Sequence, residues 1–213
     1  MKLVAVEGSI SAGKSTALLG IKDQLEKLSE ECWNIIKEPV DEDPKFHKLL
    51  KEFIQSKDDP TKRIQFQLYL TEQRSELLKN IPDGNYIIER SLFSDIVFSQ
   101  LNFLTMEMPT GHYIKYFYNI KEKLKDYPTV NAVIYLRRDP EACYKTCLER
   151  SRDGEDGYSL DYFMDVHNFH DACLPQIARE YSTKITTFEL GKSFFDPEKE
   201  GEKLYNAVYK RGS

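Results

Sequence analysis

Five short apolar runs punctuate the chain, and longer segments with a helical period of apolar residues lie between them. The runs read KLVAVEG (residues 2–8), WNIIKEP (33–39), NYIIER (85–90), VNAVIYLR (130–137) and KITTFEL (184–190). Most of them are continuous rather than alternating, which is typical of strands that are covered on both faces of a sheet. The pattern therefore predicts the buried strands of a parallel sheet.

The segments between these runs predict helices. They span Lys14–Ser29 and residues 61–80, 111–125, 140–151, 160–181 and 197–209. Pro60 and Pro140 stand where two of these helices begin, a position at which a missing amide proton costs little. Strands that alternate with helices predict an α/β fold with right-handed crossovers between parallel strands. In such folds ligands bind beyond the carboxyl ends of the strands, so we expect the chemistry there.

The composition narrows the class of protein. A chain of 213 residues suffices for a real core, so residues 1–213 are expected to form a single domain. The formal net charge of -5 argues against a nucleic-acid polymer as partner, and the first apolar run is far too short to cross a membrane. No targeting segment precedes the glycine-rich turn at residue 8, so a cytoplasmic location is expected.

A glycine-rich motif follows the first apolar run and opens the first helix. Residues 8–15, GSISAGKS, match the G-x-x-x-x-G-K-[ST] phosphate loop, whose backbone amides surround an anion at a helix N-terminus. Lys14 is expected to reach the terminal phosphates of the nucleotide and Ser15 to hold magnesium. The predicted nucleotide-binding residues are Gly8, Ser9, Ile10, Ser11, Ala12, Gly13, Lys14, Ser15 and Thr16. The motif alone does not separate a kinase from a GTPase, a motor or a passive binder.

Charged residues stand at the ends of the second and third predicted strands. Glu38 follows the second strand, and Glu89 with Arg90 follows the third. A carboxylate beside the phosphate loop can accept the proton of an attacking hydroxyl, so Glu38 is predicted to be a general base rather than a plain surface carboxylate. Glu89 is expected to face the metal and phosphate rather than to serve as a structural ion-pair partner. The guanidinium of Arg90 suits phosphate oxygens.

A further charged stretch, ERSRDGEDG, lies between residues 149 and 157. Its cations are mixed with Gly154 and Gly157, a composition that suits a mobile loop over phosphates. The alternative is a solvated charged turn. We therefore predict a short lid at about residues 150–158.

Several segments together resemble one known family. EGSISAGKST, EPV, FQLYLTEQR, ERSLFSD and YLRRDPEACYKTCLERSRDGEDGYSLDYFMDVH, in this order over about residues 2–174, are similar to deoxyribonucleoside kinases such as the deoxycytidine, deoxyguanosine and deoxyadenosine kinases. The resemblance implies a P-loop kinase fold with a five-stranded parallel β-sheet flanked by helices, and a homodimer. It also implies an enzyme of nucleotide salvage that moves the γ-phosphate of ATP to the 5′-hydroxyl of a deoxynucleoside.

The resemblance assigns roles at the reacting end of such a site. Glu38 would deprotonate the 5′-hydroxyl, and Arg90 would bind phosphate near the reacting oxygen. Ser15 and Glu89 would attend magnesium. Two lid arginines would close over the transferring phosphate, namely Arg150 and Arg152.

The resemblance also assigns roles at the nucleoside end. Gln67 would hydrogen-bond the edge of the base, and Arg74 with Asp95 would lie at its far end. Phe98 is expected to stack on the base, although its spacing from Asp95 is one residue shorter than in the animal enzymes, and a core role stays open. Glu155 would accept a hydrogen bond from the 3′-hydroxyl of the sugar.

Two positions depart from the pattern of the family. A tyrosine that contacts the sugar 3′-hydroxyl usually stands shortly before the proline that matches Pro60, and QSKDDP has none. Either another residue such as Tyr69 replaces it, or the sugar is held more weakly. Thr146 stands where the family often has an arginine that stacks on adenine, which leaves the choice of phosphate donor open.

Arg74 and Asp95 also bear on which nucleoside is preferred. Thymidine-preferring members of the family lack this pair. An ionised aspartate would meet a carbonyl oxygen of thymine, acceptor against acceptor, and such buried mismatches are costly. Deoxycytidine, deoxyadenosine or deoxyguanosine is therefore expected in preference to thymidine.

The main alternative is a nucleoside monophosphate kinase of the thymidylate type. Such enzymes typically read EPGGT where this chain reads EPVDED, and added carboxylates repel an anionic acceptor. A non-catalytic nucleotide-binding module is disfavoured, because binding alone does not require the glutamates and arginines at the strand ends and in the lid.

Overall fold

A parallel sheet of five strands forms the centre of the computed structural model, which describes residues 1–38, 43–56, 59–105, 108–152, 154–155 and 157–210. The strands are β1 (Lys2–Gly8), β2 (Trp33–Ile36), β3 (Asn85–Glu89), β4 (Ala132–Arg138) and β5 (Lys184–Gly191). Their order across the sheet is β2-β3-β1-β4-β5, and every neighbouring pair is parallel. The predicted α/β fold and all the predicted strands are therefore confirmed.

Helices cover both faces of the sheet. They are α1 (Lys14–Ser29), α2 (Pro44–Gln55), α3 (Pro60–Leu77), α4 (Leu92–Thr105), α5 (Thr110–Asp126), α6 (Pro140–Arg150), α7 (Leu160–Glu180) and α8 (Gly201–Tyr209). The last begins later than predicted, since residues 197–200 form a turn in which Pro197 packs against Gly20 of α1. Among the described residues, no helix combines the length and the apolar character needed to cross a membrane.

Two helices, α2 and α4, are absent from the sequence prediction. The first has a start signal, because Asp43 accepts a hydrogen bond from the amide of Lys45 (2.9 Å) and Pro44 takes the first helical position. The second follows β3 after a short turn. Its buried residues are not confined to one face, so no amphipathic period marks it.

The side chains of the central strands enter two separate cores. Leu3 and Ala5 of β1 face a core shared with α4, α5 and α7. Val4 and Val6 of the same strand face a core shared with α1 and α8. Because both faces are buried, the strands read as continuous apolar runs in the sequence.

The carboxyl ends of β1, β2 and β3 meet at one edge of the sheet. The register pairs Val6 of β1 with Glu89 of β3, and Ile36 of β2 with Ile88 of β3. The phosphate loop, the segment after β2 and the turn after β3 therefore converge, at the edge where α/β folds bind their ligands.

Candidate active site

A cleft opens at this edge of the sheet, and its empty space amounts to about 710 Å³ when the open solvent at its mouth is included. The predicted site residues that line it are Ile10, Ser11, Lys14, Ser15, Glu38, Gln67, Arg74, Glu89, Arg90, Phe98, Arg150, Arg152 and Glu155. Six further residues line it: Phe46, Leu50, Phe66, Leu70, Tyr158 and Tyr162. Residues 39–42 of the EPVDED segment, and residues 153 and 156 of the predicted lid, lie outside the described residues.

The phosphate loop is shaped by a glycine and by one lysine. Gly13 has a φ of 90°, which favours glycine, and a Cβ there would lie 2.8 Å from the ring of Phe194. The ammonium group of Lys14 donates to the carbonyl oxygen of Ser9 (2.7 Å). Burial, with the charge of Arg90 nearby, lowers the pKa of Lys14 to about 7. An anion in the loop would raise the pKa of Lys14 again and compete with the carbonyl oxygen of Ser9 for its N–H groups.

Ser15 and Glu89 are in direct contact beside the phosphate loop, where the hydroxyl of Ser15 donates to the carboxylate of Glu89 (2.6 Å). Both groups offer oxygen, and magnesium usually takes only one or two carboxylates along with substrate phosphates and water. Within the described part of the chain, no group of three or more His, Cys, Asp or Glu side chains could hold a metal. A hydroxyl and a single carboxylate fit a magnesium ion that arrives with a nucleotide, because the phosphates and water supply the remaining ligands.

Arg74 of α3 lies between two carboxylates. Its Nε donates to Glu38 (2.5 Å) and its Nη1 donates to Asp95 (2.8 Å), which also accepts a hydrogen bond from Thr71 (2.6 Å). Complete burial raises the pKa of Asp95, and Arg74 acts in the opposite direction. Burial would also raise the pKa of Glu38, but the charges of Arg74 and Arg90 outweigh it and leave this pKa below its usual value. Glu38 is thus an ionised carboxylate at neutral pH.

Asp95 lies behind Arg74 and is fully buried, and it is not among the residues that line the cleft. The pairing of Arg74 with Asp95 is present as expected. A direct contact between Asp95 and a nucleobase stays a prediction, and it requires Arg74 to change position. Gln67, one helical turn before Thr71, does line the cleft.

Phe98 belongs to the core and to the cleft at once. Its ring meets His170 of α7 edge-on, with 5.7 Å between the ring centres. The guanidinium of Arg90 lies over the same ring, 5.4 Å from its centre. Phe98 is largely buried and also lines the cleft, so it belongs to the core, and its stacking on a base stays a prediction.

A buried glutamate in β1 fixes the turn after β3. Glu7 accepts hydrogen bonds from the amide and the hydroxyl of Ser91 (2.8 and 2.7 Å) and from the hydroxyl of Ser94 (2.5 Å). Arg90 stands in this turn with a φ of 60° and donates to the hydroxyl of Ser94 (3.0 Å). This network holds Arg90 at the wall of the cleft. No role is predicted for Glu7, although a carboxylate inside a buried apolar run is itself a signal.

Ion pairs around Glu155 hold the segment predicted as a lid. Arg150 donates to both carboxylate oxygens of Glu155 (2.6 and 2.7 Å), and Arg152 donates to one of them (3.3 Å). The thiol of Cys147 lies 3.4 Å from the second oxygen. Glu155 therefore already accepts several hydrogen bonds, and its predicted contact with a sugar hydroxyl requires one of them to change.

Two tyrosines close the same wall of the cleft. The rings of Tyr158 and Tyr162 are parallel within 4°, with 5.1 Å between their centres. Tyr69, the candidate replacement for the tyrosine missing near Pro60, lies elsewhere. Its hydroxyl donates to Asp43, and its ring lines a smaller neighbouring cavity.

An arginine from β4 reaches the threonine at which the family often has an arginine of its own. Arg138 donates to the hydroxyl of Thr146 (3.0 Å) and to the carbonyl oxygen of Ser11 (3.0 Å). Its guanidinium lies 3.9 Å from the centre of the Phe194 ring, and Phe194 is 53% exposed beside the phosphate loop. An exposed ring in a fixed position offers a stacking surface for a nucleobase. Neither residue is predicted as part of the site.

Comparisons with known proteins cover nearly the whole chain. Residues 4–211 match the profile of a family described as deoxynucleoside kinase. A probable deoxycytidine kinase of Fowlpox virus (strain NVSL) is 28% identical, covering 98% of this chain and 87% of the viral protein. A thymidine kinase of Ictalurid herpesvirus 1 is 30% identical over 79% of this chain and 72% of its own. A deoxycytidine kinase of Homo sapiens is 25% identical, covering 82% of this chain and 75% of the human protein.

Solved structures are similar over the same extent. A deoxyadenosine kinase from M. mycoides with bound dATP has a TM-score of 0.71 and 25% identity, covering 96% of this chain and 97% of its own. The same enzyme with bound dCTP has a TM-score of 0.70 and 24% identity, with the same shares covered. The P-loop kinase fold is therefore confirmed, and the matched region includes the cleft.

Proposed function

The chain belongs to the deoxynucleoside kinase family, whose members are ATP-dependent phosphotransferases, and we propose that it transfers the γ-phosphate of ATP to the 5′-hydroxyl of deoxycytidine, deoxyadenosine or deoxyguanosine in preference to thymidine, as a step of nucleotide salvage. One observation carries this proposal. An ionised buried carboxylate, Glu38, lines the same cleft as the phosphate-loop lysine, Lys14, and the guanidinium of Arg90.

On the acceptor side, Glu38 takes the proton of the nucleoside 5′-hydroxyl as that oxygen attacks the phosphate. The carboxylate is ionised and buried, and its ion pair with Arg74 fixes its orientation. Arg90, held by the turn after β3, lies close enough to influence Glu38 and is suited to bind the phosphate that reaches the acceptor oxygen.

On the donor side, the phosphate loop surrounds the phosphates of ATP and Lys14 leaves its backbone contacts to bind them. Ser15 and Glu89 would hold magnesium. When bound, this ion neutralises charge on the phosphates and orients them. The exposed face of Phe194 stacks on the donor base, supported from behind by Arg138.

Arg150 and Arg152, in the predicted lid at about residues 150–158, act on the transferring phosphate. Both arginines pair with Glu155 and line the same cleft as Lys14 of the phosphate loop. An incoming phosphate competes for these guanidinium groups because it offers a stronger and more exposed set of acceptor oxygens. We propose that they turn from Glu155 toward the phosphate when both substrates are bound.

The choice of nucleoside rests on the charges at the far end of the cleft. The names of relatives do not decide it, since a deoxycytidine kinase and a thymidine kinase match at 28% and 30% identity. Arg74 and Asp95 are both present and paired. A base that offers an amino group or a purine N–H suits this carboxylate, whereas thymine presents a carbonyl oxygen toward it.

The test is a phosphorylation assay with labelled ATP against the four deoxynucleosides and their monophosphates. We expect label on deoxycytidine, deoxyadenosine or deoxyguanosine, with less on thymidine and none on the monophosphates. Label on monophosphates alone would overturn the proposal in favour of a monophosphate kinase. The Lys14→Ala variant supplies the background for every substrate.

We also propose that the chain forms a homodimer, as the family resemblance implies. Exposed apolar side chains on two adjacent helices, Leu104 of α4 and Met164 of α7, are compatible with such a contact. Sedimentation equilibrium is expected to give twice the mass of the chain, and the mass of a monomer at micromolar concentration would overturn this proposal.

A further inference from the structure

Tyr158 occupies the middle of the cleft wall, between the end that holds phosphates and the end that is lined by aromatic and aliphatic side chains. It packs against the cluster of Ala12 and Phe163, which also includes Ile10 of the phosphate loop. It packs as well against the cluster of Phe46 and Phe66 at the nucleoside end. A nucleoside whose 5′-hydroxyl meets Glu38 and whose base lies near Gln67 must place its sugar between these ends.

Two ring contacts fix the orientation of this tyrosine. Its ring stacks in parallel on Tyr162 (5.1 Å between centres), and it meets the ring of Phe163 at 88° (5.9 Å). The backbone amide of Tyr158 donates to the carbonyl oxygen of Glu155 (3.2 Å), so the tyrosine belongs to the turn that carries the lid glutamate. The ring therefore has little freedom, and its hydroxyl has a defined place at the cleft wall.

The hydroxyl of Tyr158 can donate a hydrogen bond to a ligand in the cleft. Among the described residues, its hydroxyl has no hydrogen-bond partner, whereas the hydroxyls of Tyr69, Tyr86 and Tyr135 donate to Asp43, to the carbonyl oxygen of Pro82 and to Asp171. Burial raises the pKa of Tyr158 well above its usual value, and the nearby charge of Glu155 adds to this, so the hydroxyl keeps its proton at neutral pH. A half-buried phenol hydroxyl usually has a hydrogen-bond partner, and a ligand bound in the cleft can supply the acceptor.

We infer that Tyr158 donates a hydrogen bond to the 3′-hydroxyl of the nucleoside sugar, and that it is a specificity-determining residue of this site. The inference rests on the proposed function. Both carboxylate oxygens of Glu155 already accept hydrogen bonds from the lid arginines. The contact that the resemblance implies for Glu155 becomes available only after the lid arginines turn away from its carboxylate, whereas the hydroxyl of Tyr158 is available before they move. Tyr69 donates its hydroxyl to Asp43 and lines the neighbouring cavity instead.

The experiment compares a 2′-deoxynucleoside with its 2′,3′-dideoxy analogue, which lacks the hydroxyl in question. In the Tyr158→Phe variant both ring contacts remain and only the phenolic oxygen is lost. We expect kcat/KM for the deoxynucleoside to fall about tenfold, mainly through KM, while kcat/KM for the dideoxy analogue stays unchanged. The ratio of the two substrates is the measurement, because a purely structural loss lowers both alike.

Two further variants complete the test. Tyr118→Phe, on an exposed residue of α5, is expected to change neither substrate. Tyr69→Phe is expected to leave the ratio between the two substrates at its wild-type value. An unchanged ratio in Tyr158→Phe, an equal loss on both substrates, or a changed ratio in Tyr69→Phe would each overturn the inference. If the wild-type chain phosphorylates no nucleoside, it is the proposed function that fails, and the assay separates this case from the others.

Discussion

The two ends of the cleft are built in different ways. The phosphate end comes from one continuous stretch, GSISAGKS, in which a strand leads directly into a helix. The nucleoside end is assembled from α2, α3, α4 and the turn before α7, whose residues are far apart in the sequence. The function of a motif of consecutive residues can be predicted from the sequence. The function of a site built from distant residues depends on the tertiary contacts that bring their side chains together.

The charge at each end of the cleft matches the charge of the substrate proposed for that end. At the phosphate end, Lys14 is buried, and within the described part of the chain its ammonium group donates only to backbone carbonyl oxygens, so an anion suits it as a ligand. At the nucleoside end, Arg74 is already neutralised by Glu38 and Asp95. This arrangement suits a charged donor at one end and an uncharged acceptor at the other, which argues against an acceptor that carries a phosphate.

The largest effect is expected where the two ends meet, at Glu38. In the Glu38→Gln variant, turnover is expected to fall about 100-fold or more, the usual range for loss of a general base, while nucleoside binding is retained. Steady-state kinetics and calorimetry measure the two quantities separately. Glu72→Gln, on a half-exposed residue of α3, is the matched control and keeps wild-type turnover. Near-wild-type turnover in Glu38→Gln would remove this residue from the role of base.

The next effect concerns the nucleoside end alone. Replacement of Arg74 by Met together with Asp95 by Ala is expected to raise the kcat/KM ratio of thymidine to deoxycytidine about 100-fold, because the charged pair no longer opposes the carbonyl oxygen of thymine. The ratio is the measurement, since Glu38 also loses its partner and turnover falls on every nucleoside. A wild-type preference for thymidine, or an unchanged ratio in the double variant, would show that the pair does not select the base.

A smaller effect is expected at the donor base. Phe194→Ala is expected to raise KM for ATP about tenfold and to leave KM for the nucleoside unchanged, because only the stacking surface beside the phosphate loop is removed. Phe194→Trp keeps an aromatic face and is expected to retain most of the affinity. An equal rise in KM for both substrates would place Phe194 in the general support of the phosphate loop.

The smallest effect is a change in protonation at the phosphate end. With a pKa of about 7, most of the Lys14 side chains are neutral above pH 7 in the free protein, and bound phosphates raise this pKa. ATP binding is therefore expected to take up a proton above pH 7 and to take up almost none well below it. Calorimetry in two buffers of different ionisation enthalpy measures this uptake. Lys14→Arg is the control without uptake, and a wild-type protein without uptake would contradict the burial argument.

The fold class and the phosphate end of the site are predictable from the sequence because each depends on neighbours along the chain. The strands are continuous apolar runs. Lys14 and Ser15 follow Gly8 and Gly13 at the spacing of a phosphate loop, which is a motif of consecutive residues. Helix α4 escapes prediction for the opposite reason, since it is buried on several sides and shows no period. The capping signal of α2, at Asp43 and Pro44, is present in the sequence and would have predicted that helix.

The tertiary structure alone decides how the nucleoside end is assembled. Asp95 is a candidate base contact in the sequence, and packing of α4 places it behind Arg74. Tyr69 and Tyr158 are both tyrosines and look alike in the sequence. Of the two, Tyr158 lies at the cleft wall, where its ring stacks on Tyr162 of α7. These outcomes depend on contacts between residues that are tens of positions apart, and no local pattern encodes them. The sequence by itself determined the parallel sheet and predicted a phosphate site beside it, whereas only the packing of the helices determined which side chains line the other end of the cleft.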